Sequence, residues 1–142
     1  MSQHDLDGLI DAYDEALQAF LNGDPRPVSE LFSRRDDVTL ANPLGPPQRG
    51  WADVERAIKD AAANFKSGSC RVEDVSRFAT PDLAYVVRCE RAEVQLAVSG
   101  ETAPVSLRVT MIFRREEDNW KVVHRHADSI TTARPIGALV ES

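Results

Sequence analysis

Cysteine is scarce in this 142-residue chain: only Cys70 and Cys89 occur, well separated and without C-x-x-C spacing. Two cysteines exclude a disulfide framework, and thiols inside strand-like runs read as small buried hydrophobes in a reducing compartment. Long apolar runs are absent, and none approaches the ~20 residues of a membrane span. The opening Met1-Ser2-Gln3-His4-Asp5 has neither the basic stretch nor the apolar core of a secretory leader. A cytoplasmic protein with no membrane partner is therefore expected. Positive charge is not in excess either: 17 Lys and Arg stand against 23 Asp and Glu, for a formal net charge of −6. Phosphate backbones are bound by clustered cations, so no nucleic-acid partner is expected. The arginines are instead interleaved with acids, as in Arg34-Arg35-Asp36-Asp37 and Arg114-Arg115-Glu116-Glu117, which reads as solvated turns. No glycine-rich phosphate loop and no G-x-S-x-G elbow is present, and no cofactor is expected.

What is present is an ordinary globular balance, 42% hydrophobic and 28% charged, of a length that fits one domain. Leu6, Leu9, Ile10, Tyr13, Ala16, Leu17, Phe20 and Leu21 recur at helical spacing and predict an amphipathic helix over residues 4–22, stopped by Asn22-Gly23-Asp24-Pro25. A short helix is expected from Pro27 to Phe32 and a short strand over 38–42. The rigid loop Pro43-Leu44-Gly45-Pro46-Pro47 follows. A third helix opens at Gly50-Trp51-Ala52-Asp53, with Asp53 or a nearby polar group as its cap. Its apolar face runs through Val54, Ala57, Ile58, Ala61 and Phe65 to a stop at Ser67-Gly68. From residue 69 the period falls to two, and four strands are expected at 69–78, 82–97, 103–115 and 119–129. Helices first and an antiparallel meander afterwards predict an α+β fold: a long, curved sheet closed by the first helix into a hollow cone.

Three stretches carry a resemblance. They are Leu21-Asn22-Gly23-Asp24 after the first helix; Asn42-Pro43-Leu44-Gly45-Pro46-Pro47-Gln48-Arg49-Gly50 before the third; and Arg108 to Arg115 followed by Trp120 to Asp128. In this order they resemble the nuclear transport factor 2-like, ketosteroid isomerase-like superfamily, and the last stretch resembles its SnoaL-like branch. The Trp and His-x-His strand is also similar to the association domain of calmodulin-dependent kinase II. The resemblance implies a cystatin-like roll with an internal pocket. It does not imply one chemistry, because the superfamily holds isomerases, dehydratases, cyclases, hydrolases and non-catalytic association domains.

Classical ketosteroid isomerisation needs a carboxylate base and hydroxyl or protonated-acid donors for the oxyanion; that system is a standard example of pKa tuning. The resemblance puts the base at Asn42, the tyrosine near Ala16 and the protonated acid at Val109, and none of the three residues fits its role. Tyr13, one turn earlier, reaches at most a shifted site. With the register that the resemblance implies, alternation assigns Tyr85, Val87, Cys89 and Arg91, then Val105, Leu107, Val109 and Met111, then Val123, Arg125 and Ala127 to the concave face. Asn42 and Trp51 fall near its mouth or wall. A one-residue slip would exchange the two faces of a strand. Inward Arg91 and Arg125 would suit a carboxylate-bearing ligand or a buried acidic partner. Arg108, Thr110, Trp120, His124, His126 and Asp128 fall on the convex face, where the resemblance implies a second subunit, hence a homodimer. His124, His126 and Asp128 lie in one row, with the two His Cα atoms about 6.5–7 Å apart; the row reads as hydrogen-bonding rather than metal-binding. Three functions remain open: a small-molecule pocket protein, a non-catalytic association module, and a lyase or isomerase with relocated groups.

Overall fold

The computed structural model describes residues 3–141. The order is α1 (Gln3–Phe20), α2 (Arg26–Leu31), β1 (Thr39–Ala41), β2 (Gln48–Arg49), α3 (Trp51–Ala62), β3 (Phe65–Ala79), β4 (Leu83–Leu96), β5 (Thr102–Glu116), β6 (Asn119–Asp128) and a 3-10 turn, Ile136–Leu139. The fold is α+β. Six strands form one curved, unclosed sheet in the order β2-β1-β6-β5-β4-β3. The long strands β3 to β6 are an antiparallel meander, but β1 joins β6 in parallel and pairs antiparallel with β2.

The apolar stripe of α1 decides where the sheet faces. Leu6, Ile10, Tyr13 and Leu17 are buried against Val86, Val109, Met111, Phe113 and Val122 of the sheet. Each such side chain removed from water contributes on the order of 1.5–3 kcal/mol. α1 ends in a Schellman cap, with the Gly23 N–H donating to Phe20 O at 3.0 Å and the Asp24 N–H to Ala19 O at 2.9 Å. Gly23 has φ +92°, and a Cβ there would lie 2.9 Å from Phe65 O, so the cap also seats the start of β3.

Three local readings differ from expectation. α3 stops at Ala62, and Phe65 opens β3 instead of closing the helical face; there it packs on Phe20, ring centroids 5.9 Å apart. Phe65 satisfies helical spacing and strand propensity equally, and the ladder partner Leu96 decides. Gly50, at φ +88°, caps α3 without a side-chain hydrogen bond, so Asp53 is not the cap. The two-residue β2 is too short to leave a period. Bulges interrupt β3 between Phe65 and Ser67 and between Asp74 and Ser76, and a third falls in β6 at Val123, where pairing passes from Ile112–His124 to Phe113–Val122. Bulges of this kind bend a sheet and reset which residues face inward.

Two glycines should respond oppositely to alanine. Gly8 is exposed inside α1 with open space around its Cα. Gly8→Ala should therefore raise stability by about 0.5–1 kcal/mol through the lower helical entropy cost. Gly23→Ala should lower it by about 1–2 kcal/mol, the left-handed penalty, before the Phe65 clash is counted. Urea midpoints of the two variants check this; a neutral Gly23→Ala would contradict the cap.

Candidate functional site

The hollow between α1 and the sheet is a cavity of about 340 Å³. Its wall is apolar, with Leu17, Phe20, Val28, Phe32, Leu107 and Ala127 among its lining, and the polar residues on it are Tyr13, Asn42, Asn64 and Arg125. Each is placed by a different element: Tyr13 by the buried stripe of α1, Arg125 by the inner row of β6, Asn42 by the end of β1 and Asn64 by the turn after α3. Among the described residues the wall carries no carboxylate, imidazole or thiol.

Behind Arg125 stands an ionic chain. Arg125 donates from both terminal nitrogens to Glu90, Nη1 to Oε2 at 2.9 Å and Nη2 to Oε1 at 2.7 Å. Arg88 donates to the same Glu90 Oε2 from Nε at 3.1 Å and Nη2 at 2.8 Å, and its Nη1 donates to Asp14 Oδ1 at 2.6 Å. The Arg88 and Glu90 side chains are 0% and 5% exposed, so these charges survive burial only through one another. Burial alone pushes the Glu90 carboxyl up; Arg125, and then Arg88, outweigh it and hold the group down at about 2. Burial raises Asp14, more than Arg88 lowers it. Both guanidiniums approach the Tyr13 ring, Arg88 at 5.8 Å and Arg125 at 5.6 Å from its centroid. Tyr13 is 1% exposed, burial raises its phenol pKa above the usual value, and among the described residues nothing hydrogen-bonds its hydroxyl.

The expected site residues scatter. Tyr13, Asn42, Val105, Leu107, Arg125 and Ala127 line the cavity. Val109 and Met111 point inward but are packed in the core beside it. The β4 assignment is a correction: the inward row is Ala84, Val86, Arg88, Glu90 and Val94, so Tyr85, Val87, Cys89 and Arg91 lie on the opposite face. The physical reason is the ionic chain, which lets two charged residues occupy the buried phase that apolar Val87 and Cys89 were expected to fill. Arg91 is ion-paired outside the cavity, its Nε 2.7 Å from Glu73 Oε1. Val123 is the extra residue of the β6 bulge and does not line the cavity. The same bulge turns Trp120 inward, 8% exposed in the core, instead of onto the convex face. Trp51 lies against the core under the Arg34 guanidinium, 4.2 Å from its ring centroid, and also does not line the cavity.

Arg108, Thr110, His124, His126 and Asp128 do share the outer face. Arg108 Nε lies 2.7 Å from Asp128 Oδ1, His126 Nε2 3.4 Å from Asp128 Oδ2, and Thr39 Oγ1 2.7 Å from His124 Nδ1. Burial lowers the His124 pKa, and His126 adds to the effect. Among the described residues no three His, Cys, Asp or Glu side chains are grouped to hold a metal ion. The sequence reasoning missed Arg88, Glu90 and Asp14. An Arg-x-Glu pair within a strand was the available signal, since alternation puts both on one face, where they pair with each other.

The carboxyl of Glu90 gives a pH test. Its folded-state pKa lies below the ordinary 4.5, so its contribution is present above pH 4.5 and is lost as pH falls towards 2. Glu90→Gln should lower stability at pH 6 by about 3 kcal/mol, because it leaves the buried Arg125 without a counter-charge and Arg88 with Asp14 alone. The gap to the unsubstituted protein should narrow as pH falls towards 2. Denaturant midpoints across that range check this, and a gap independent of pH would contradict the assignment.

The comparisons give one family match and a shared fold. The SnoaL-like domain matches residues 9–132. Among solved structures, an NTF2-like superfamily protein from Salmonella enterica serovar Typhimurium superposes with a TM-score of 0.80 at 15% identity, over 94% of each chain. An NTF2-like family protein from Streptomyces avermitilis, provisionally assigned as a dehydratase, gives 0.76 at 24% identity over 91% of this chain and 96% of that one. A protein from Thiobacillus denitrificans, provisionally assigned as a calcium/calmodulin-dependent protein kinase type II association domain, gives 0.71 at 25% identity over 87% and 93%. No protein of curated function matches the sequence. With the helices, the sheet order and the hollow already in place, the chain belongs to the SnoaL-like domain family, and it shares its fold with the NTF2-like structures.

Proposed function

We propose that the chain binds a small, mainly apolar molecule in this cavity and holds one uncharged oxygen acceptor on it through the Tyr13 hydroxyl and an N–H of Arg125. The observation that carries the reading is the Tyr13 hydroxyl, a donor that opens onto an apolar cavity and has no hydrogen-bond partner among the described residues. A donor facing an apolar cavity has no other protein group to bond, and a ligand oxygen can take the place of water there. Arg125 has five N–H groups, and its bidentate hold on Glu90 leaves some of them free. The expectation of a carboxylate-bearing ligand rested on two inward arginines. Arg91 lies outside, and the charge of Arg125 is matched by Glu90, so a ligand carboxylate would lose its hydration without gaining a free counter-charge. A ketone or similar carbonyl fits better. Proton abstraction beside that carbonyl is not supported. Asn42 cannot serve as a base, and Glu90 has its oxygens filled by guanidinium donors.

Calorimetry with hexanophenone, hexylbenzene and 6-phenylhexanoic acid tests this. The ketone should bind most tightly. Tyr13→Phe should weaken it by about 1.5 kcal/mol, the worth of one hydrogen bond to a buried donor, and should leave hexylbenzene unchanged. Equal affinity for ketone and hydrocarbon, or tighter binding of the acid, would overturn the reading.

A second role rests on the outer face. Tyr85 and Phe78 are exposed, with their rings tilted by 31° and 5.9 Å apart, on the same face as the His124, His126 and Asp128 row and across β5 from it. Exposed aromatics on a flat sheet face suit a partner of the same kind, and we propose a homodimer through this face. Light scattering should give twice the chain mass at micromolar concentration, and Tyr85→Glu should shift it to the monomer. A monomer in the unsubstituted protein would end this proposal.

A further inference from the structure

The cavity does not end at its mouth. A second chamber of about 380 Å³ lies against it, and the two share five lining residues, Leu40, Asn42, Leu44, Ala61 and Asn64. The new walls come from Gly45 and Pro46 of the loop after β1 and from Gln48, Ala57 and Asp60. The chemistry reverses between the two spaces. The inner end offers donors, Tyr13 and Arg125. The outer chamber offers acceptors. Asp60 is exposed, and among the described residues its carboxylate makes no hydrogen bond or ion pair. Asn64 directs its Nδ2 at the carbonyls of Asp60 and Ala61, at 3.2 and 3.1 Å, which fixes the amide and leaves Oδ1 as the free acceptor. Gln48 likewise donates Nε2 to Pro46 O at 3.2 Å and keeps Oε1 free.

We propose that the ligand spans both chambers: an apolar body with an oxygen acceptor at its inner end and a hydrogen-bond-donating tail, hydroxyl or ammonium, that passes Asn42 and Asn64 to reach Asp60. This rests on the pocket reading above and adds the ligand's length, polarity and direction. The shared lining residues supply the passage. The apolar wall excludes a ligand that is polar along its whole length. The unpaired carboxylate selects a donor, because an acceptor facing it would be repelled. An ammonium tail fixes the orientation, since a reversed molecule would set that cation beside Arg125 and the carbonyl oxygen against the Asp60 carboxylate; a hydroxyl, donor and acceptor at once, leaves both orientations open.

The test uses phenyl ketones of one skeleton whose alkyl chain, six or ten carbons counting the carbonyl, ends in methyl, hydroxyl or ammonium. Calorimetry is run on the full chain and on Asp60→Ala, a helix-compatible change at an exposed site. In one of the two lengths the donor-ended ketone should bind about tenfold tighter than its methyl-ended partner, as for a hydrogen bond to a charged group. Asp60→Ala should remove that gain and leave hexanophenone unchanged. Asp60→Asn separates the two donors: it should keep most of a hydroxyl's gain and lose an ammonium's. If hexanophenone binds and the tail makes no difference at either length, or if the gain survives Asp60→Ala, the two-chamber ligand is wrong and the pocket reading stands. If hexanophenone does not bind at all, both fall.

Discussion

Glu90 sits between Arg88 and Arg125 on the inner face of the sheet, and the rest of the interior is arranged around that contact. A buried guanidinium is tolerated only with a counter-charge and filled hydrogen bonds. Here one carboxylate serves two arginines across β5, Arg88 from β4 on one side and Arg125 from β6 on the other, and Asp14 of α1 closes the chain at its more exposed end. The chain therefore ties the first helix to two strands of the sheet by charge as well as by apolar packing. It also sets the phase of β4, because Arg88 and Glu90 must both point inward to meet their partners.

The same contact shapes what the hollow can recognise. The charge of Arg125 is spent on Glu90, yet the planar guanidinium still has N–H groups to direct elsewhere. Tyr13 has its ring within reach of both guanidiniums, and burial keeps its phenol protonated and therefore a donor. The result is an apolar space with donors at one end and, among the described residues, no carboxylate or imidazole on its wall. That combination suits capture of a carbonyl better than proton transfer beside one. It also departs from the isomerase arrangement that the fold resemblance implies, where a carboxylate base faces the ligand.

Much of the architecture was legible because its signals are periodic. The α1 stripe, the glycine stop at Gly23 and the shift to alternation near residue 69 each have a direct physical cause in the chain. Fold class follows from them; the family comes from the resemblance of three stretches and is shown by the domain match. The site was less legible, for two reasons of phase. In β4 the apolar residues Val86 and Val87 are adjacent, so alternation alone leaves both faces open, and the ionic chain chooses the one that looks less apolar. In β6 a single extra residue at Val123 lets Trp120 and Arg125 face the same side although they are five apart. A bulge leaves no mark on hydrophobic pattern. β5 has no such interruption over its inward row, and there the expected residues Val105, Leu107, Val109 and Met111 all face the interior.

The central claim is that the closed end of the cavity holds a neutral oxygen by donors whose charge is already balanced. A crystal structure of the protein grown with hexanophenone tests it most directly. The account predicts the carbonyl oxygen within hydrogen-bonding distance of the Tyr13 hydroxyl, the phenyl ring against the apolar wall, and the Arg125–Glu90 pair intact. A ketone bound with its oxygen turned towards Asn42 and Asn64, or one that displaces Arg125 from Glu90, would contradict it.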